Sequence, residues 1–160
     1  MKKAQSSIVM ILLVIVVFGG LAVFLLSLAG NVQQEDYMNI YTHNTLLSML
    51  RTDTGDGGDC KLVSDALTCG AYGLLCDSGT PCRTFAEDRV DYYMDALSYV
   101  KATYDWYLAV YDNNDITLLE LGNTDLVSEK TKKWSASQTV YKRFGSSDQT
   151  FIVRLILARS

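Results

Sequence analysis

Hydrophobic and polar positions divide this chain into three regimes. From Ile8 to Ala29 they do not alternate: 22 consecutive residues carry no charge. At 1.5 Å per residue such a helix measures roughly 33 Å, enough to cross a hydrocarbon core of about 30 Å. It is apolar on every side, which predicts a lipid span rather than an amphipathic surface helix. Beyond it, Tyr37, Ile40, Tyr41, Asn44, Leu47 and Leu50 recur at steps of three and four, so residues 31–51 should continue as helix with one largely apolar face.

Thr52 to Asp59 (TDTGDGGD) breaks that helix with three glycines and three aspartates. Cys60 to Cys69 reads as a short helix with Leu62, Val63, Ala66 and Leu67 inward, and Gly70 to Pro81 as a loop. Thr84-Phe85-Ala86-Glu87 has the form of a capping box, with Thr84 as cap of a helix running to about Lys101. Its stripe of Ala86, Val90, Tyr93, Leu97 and Val100 is expected to meet a sheet.

From Tyr104 the period changes to two. Tyr104, Trp106, Leu108 and Val110 share one face, and Asp105, Tyr107, Ala109 and Tyr111 the other. Asp112 to Asp115 is a turn, and Ile116 to Leu121 the return strand of a hairpin. A polar stretch, Gly122 to Lys133, leads to a third strand, Trp134 to Phe144, and a turn at Gly145 to Asp148 to a fourth, Thr150 to Ala158. Strands joined by short turns pair antiparallel. The last strand has two possible places, at an edge or in the centre. The fold class is α+β: a long N-terminal transmembrane helix extending into a head, with helices followed by a four-stranded antiparallel sheet.

Charge fixes the orientation. Lys2 and Lys3 lie on the short side of the span, which the positive-inside bias keeps cytoplasmic, so everything from Asn31 should be extracytoplasmic. Without those lysines, 12 basic residues face 18 acidic ones, a net −6. An acidic head without a basic cluster is a poor match to nucleic acid or to anionic headgroups. Cys60, Cys69, Cys76 and Cys82 are even in number and follow a span that predicts export, which favours two disulfides. Three connectivities are open; Cys60–Cys69 with Cys76–Cys82 is the most local. The competing four-cysteine zinc site lacks the CxxC spacing such sites usually supply.

An apolar run this near Met1 has three processing readings. As a secretory signal it would be cut after Ser27-Leu28-Ala29, although its apolar stretch exceeds the usual 7–15 residues. As an uncleaved anchor it would remain whole. The third reading rests on Lys2-Lys3-Ala4-Gln5-Ser6-Ser7, which resembles the class III leader of archaeal type IV pilins and related filament subunits over about the first 30 residues. The resemblance implies cleavage between Ala4 and Gln5, leaving a leader of residues 1–4, a transmembrane helix over 5–30, a helical extension over 31–51 and a pilin-like head over 52–160. The chain departs from the family in its short leader and in Val9, where many pilins carry Glu at the fifth mature position and use it to guide assembly. Gly19-Gly20 is a thin point where neighbouring helices could approach, although glycine is common in membrane helices generally.

Candidate chemistry is sparse. Asp53-Thr54-Gly55 has the triplet of aspartic proteases, which need two carboxylates sharing a proton, yet it occurs once. Asp53, Asp56 and Asp59 are weak calcium candidates, because their spacing of three is not the alternate spacing of an EF-hand. His43, the single histidine, has no local partner for a triad or metal centre. The aromatics Tyr92, Tyr93, Tyr99, Tyr104, Trp106, Tyr107 and Tyr111 read either as a contact surface or as the core between helix and sheet. No enzymatic activity and no cofactor are expected. The expected role is a membrane-anchored structural subunit of a type IV pilus-like surface filament, with the bilayer, other copies of itself and other filament or assembly subunits as partners. The alternative is a signal-anchored extracytoplasmic binding or assembly module that never polymerises.

Overall fold

The computed structural model describes residues 2–97, 104–144 and 147–159; within these, the side chains of residues 2–15, 26, 28–34 and 59 lie outside the description. The elements are α1 (Lys2–Leu50), α2 (Val63–Ala71), α3 (Cys82–Ala96), β1 (Tyr104–Tyr111), β2 (Thr117–Gly122), β3 (Lys133–Phe144) and β4 (Ser147–Arg159), with 3-10 turns at Gly58–Cys60 and Thr124–Val127. The chain divides into two compact units, Met1–Met38 and Asn39–Ser160.

The first unit is helical throughout its described residues. Val16, Val17, Phe18, Leu21, Val23, Phe24 and Leu25 are all more than half exposed. Among the residues whose side chains are described, no helix is long and apolar enough to cross a membrane. The expected span, Ile8–Ala29, extends on both sides into side chains outside the description.

The second unit is α+β, with its sheet in the order β2-β1-β4-β3 and every neighbour antiparallel. β4 therefore takes the central place, pairing with β1 from Tyr104↔Arg159 to Tyr111↔Ile152 and with β3 from Lys133↔Ala158 to Phe144↔Ser147. A strand as apolar as FIVRLILA is most stable where both edges and one face are covered. Asp112 closes the β1–β2 hairpin: its Oδ1 accepts from the amides of Asn114 and Ile116, each 2.8 Å away. Those bonds hold its carboxyl below the ordinary value, Ile116 contributing most.

One sheet face carries the main core. Trp106, Leu108, Val110, Leu119, Leu121, Val153, Leu155 and Leu157 pack with Leu46, Met49 and Leu50 of α1, Val63, Ala66 and Leu67 of α2, and Ala86, Val90 and Met94 of α3. Each of the leucine, valine and methionine side chains contributes about 1.5–3 kcal/mol on burial. The helix layer supports one expectation and corrects another. Ala86 and Val90 of the expected α3 stripe join the same core as the sheet, with Tyr93 and Leu97 packed against it, while α3 also packs extensively on α2; Val100 lies outside the described residues. On α1 the buried stripe of this unit is Thr42, Thr45, Leu46, Met49 and Leu50, while Ile40 is 62% exposed. The two candidate stripes differ by about one residue of rotation, and threonine, small and able to bond its own helix backbone, is tolerated inside.

α3 also begins earlier than the capping-box pattern predicts. Its N-cap is Pro81 and its first residue Cys82, so Thr84 lies within the first turn. Proline's fixed φ and the sulfur anchored beside it set that boundary.

Candidate functional site

The four cysteines come from four backbone segments. Cys60 ends the first 3-10 turn, Cys69 lies near the end of α2, Cys76 is in the following loop, and Cys82 opens α3. They form two disulfides, Cys60–Cys76 and Cys69–Cys82, with Cα separations of 5.7 and 5.5 Å. The pairing is thus the crossed connectivity rather than the most local one. The reason is spatial: Gly70 lets α2 approach α3 so closely that a Cβ there would lie 2.9 Å from the Cα of Arg83, which brings Cys69 beside Cys82. All four residues are at most 4% exposed and form a cluster flanked by Phe85. Sulfurs of different disulfides touch, Cys82 Sγ lying 2.9 Å from Cys76 Sγ and 3.3 Å from Cys60 Sγ.

The acidic loop wraps this cluster. Thr54, 2% exposed, donates its hydroxyl to the carbonyls of Cys60 and Lys61, and its own amide donates to the Lys61 carbonyl at 2.9 Å. Thr54 thereby fastens the loop to the 3-10 turn. Asp53 accepts from the Gly55 amide at 2.8 Å, and Asp56 Oδ1 from the Gly57 amide at 2.9 Å. The aspartates stabilise turns, which is what Asx geometry does in glycine-rich loops. Asp59's side chain lies outside the described residues. Among the described residues, the cysteines form the single group of three or more metal-ligand types that converges; Asp53 and Asp56 belong to none.

The aromatic positions separate into two roles. Trp106 lies in the main core, while Tyr107 points to the opposite face with Ala109, Ala158 and Leu126, the last supplied by the 3-10 turn after β2. Tyr107 is 2% exposed, and its hydroxyl donates to Glu120 Oε1 at 2.6 Å. Burial, and then the Glu120 carboxylate, push the hydroxyl well above the ordinary tyrosine value. Tyr111 is half-buried beneath the Arg154 guanidinium, 5.1 Å from its ring centroid. Tyr92 and Tyr141 remain exposed at 72% and 77%. Sequence reasoning missed the Tyr107–Glu120 bond, whose signal was the two outward-facing positions on a predicted hairpin.

His43 is exposed on α1. Ala4 and Gln5, the expected processing pair, lie in α1 with side chains outside the described residues. Comparison with protein-family models, curated proteins and solved structures finds no match to the chain.

Proposed function

We propose that the chain is a non-enzymatic, membrane-inserted structural subunit of the type IV pilin kind, with its disulfide-stapled α+β head outside the cell. One observation carries this reading: from Val16 to Leu25 seven large apolar side chains stand more than half exposed on a helix with no charge between them. A monomer in water does not leave such a surface uncovered. Lipid covers it in the bilayer, and copies of the same helix cover it in a filament at little net hydrophobic cost. The leader-like Lys2-Lys3-Ala4-Gln5 supports the second cover, because cutting after Ala4 removes the basic residues that hold the helix at the cytoplasmic face. The crossed disulfides suit an oxidising exterior.

Mass spectrometry of the mature N-terminus tests the proposal. Gln5 as first residue is the expected result. An intact Met1 or Lys2 overturns it in favour of a permanent anchor, and Gly30 in favour of a secreted protein. Imaging of cells with a tag on the head then distinguishes filaments from a dispersed membrane protein.

A further inference from the structure

We infer that the cysteine cluster, when reduced, is a binding site for one thiophilic divalent cation of the zinc class. A tetrahedral zinc tetrathiolate with Zn–S bonds of about 2.3 Å has sulfurs roughly 3.8 Å apart. Here all four ligand atoms lie within 4.8 Å of one another. The contacts between the two disulfides, 2.9 and 3.3 Å, already approach that edge from below. The ligands arrive from a 3-10 turn, a helix end, a loop and a helix start, so they surround a common point.

The cage does not rest on the S–S bonds alone. The Cys76 amide donates to the Thr80 carbonyl and the Cys82 amide to the Leu74 carbonyl, both at 2.9 Å; the Gly79 amide returns to the Cys76 carbonyl at 2.8 Å. Thr54 holds the Cys60 carbonyl. Opening the disulfides thus leaves four thiols close together. Each opening takes two electrons and two protons from a dithiol, which leaves as its own disulfide. Binding of the cation then releases four thiol protons.

Burial makes the cation necessary. At no more than 4% exposure, four thiolates without a counter-charge would be strongly disfavoured, and a doubly charged ion offsets two of the four charges. The C-x8-C-x6-C-x5-C spacing conceals the site in sequence, because none of the pairs has the short spacing of a zinc ribbon. The site does not depend on whether the chain polymerises.

The test uses the full chain in detergent, oxidised or reduced anaerobically with a phosphine, and titrated with Co²⁺. The reduced chain should develop the intense visible absorption and thiolate charge-transfer band of tetrahedral cobalt, saturating at one ion per chain. Zn²⁺ should abolish both and protect four thiols from alkylation; the oxidised chain should show neither band. A Cys69→Ser/Cys82→Ser double variant should lose the tetrathiolate spectrum. Weak octahedral cobalt absorption, protection of fewer than four thiols, or an equal signal from the oxidised chain overturns the inference. So does a reduced chain that loses its fold and does not recover it with Zn²⁺.

Discussion

Lys142 on β3 donates to Asp65 on α2 across 2.7 Å, joining an edge strand to the start of a helix 77 residues earlier in the chain. The two side chains are 12% and 22% exposed, so the pair is largely withdrawn from solvent. Asp65 has a second duty: its Oδ2 accepts the Leu62 amide at 3.1 Å, satisfying one of the open donors at the α2 N-terminus. A single carboxylate thus caps a helix and ties it to the sheet.

Asp65→Ala should therefore destabilise the head more than Lys142→Ala. A part-buried charged hydrogen bond contributes about 1.5–3 kcal/mol, and a lost cap about 1 kcal/mol more. Urea unfolding of both variants and of the double variant measures the coupling, expected at about 1.5–3 kcal/mol. Arg143→Ala serves as control. Its 3.4 Å pair with Asp148 is 73% and 81% exposed, and should change stability by under about 0.5 kcal/mol. An Arg143 effect as large as the Lys142 effect would show that burial is not what distinguishes the pairs.

Tyr107 predicts an alkaline limit to stability. Its folded-state proton affinity is raised above that of the unfolded chain, so its contribution is complete below about pH 10 and is lost as the pH climbs further. In that range the unfolded chain sheds a proton that the folded chain retains. Spectrophotometric titrations of the parent and of Tyr107→Phe should differ by one tyrosine that ionises only as the head unfolds. Tyr107→Phe should cost about 1 kcal/mol at neutral pH and flatten the alkaline fall. Equal slopes for variant and parent above pH 10 would remove Tyr107 as the cause.

The strands were legible because their signal is local. Alternation from Tyr104 and the Asp112–Asp115 turn place β1 and β2 within a residue or two of where they lie, and the inward set Trp106, Leu108 and Val110 lies in the main core; Tyr107 and Ala109, on the other face, are buried as well, under the 3-10 turn that carries Leu126. What escaped depends on residues far apart. The central seat of β4 is set by its pairing with β1, whose partners lie 41 to 55 positions earlier. The cysteine connectivity depends on the approach of α2 to α3 at Gly70, which spacing does not encode. The start of α3 shows a local rule overridden: Thr84 and Glu87 satisfy the capping pattern, yet Pro81 and Cys82 begin the helix.

Gly122 ends β2 at φ +80°, a conformation L side chains rarely adopt, and a Cβ there would lie 2.6 Å from both the ring and the carbonyl of Trp106. The next amide, Asn123, donates to that carbonyl at 2.9 Å, so the close approach is part of the strand's closure. Gly122→Ala should cost about 1–3 kcal/mol from backbone strain, with the packing conflict adding to it. Thermal melting of the variant, read through Trp fluorescence, checks this. Unchanged stability would mean that the turn relaxes without disturbing Trp106.

The disulfides should account for a large share of the head's stability, independently of any metal. Cys60–Cys76 and Cys69–Cys82 span 16 and 13 residues, and a closed loop of that size restricts the unfolded chain by about 3 kcal/mol. The two loops overlap between Cys69 and Cys76, so their effects should not simply add; while one bond stays closed it still restricts the segment the loops share. The Cys69→Ser/Cys82→Ser variant should lose about 2–4 kcal/mol, and opening both bonds more than twice that variant's loss. Peptide mapping of the oxidised chain without reductant should recover Cys60 with Cys76 and Cys69 with Cys82. Because Asp53 and Asp56 stabilise turns rather than converge on a cation, neither calcium nor a chelator should shift the melting of the oxidised head. A calcium-dependent rise in melting temperature would return the acidic loop to consideration as a binding site. The local pairs Cys60–Cys69 and Cys76–Cys82 in the map would remove the link between α2 and α3 that the crossed bonds provide.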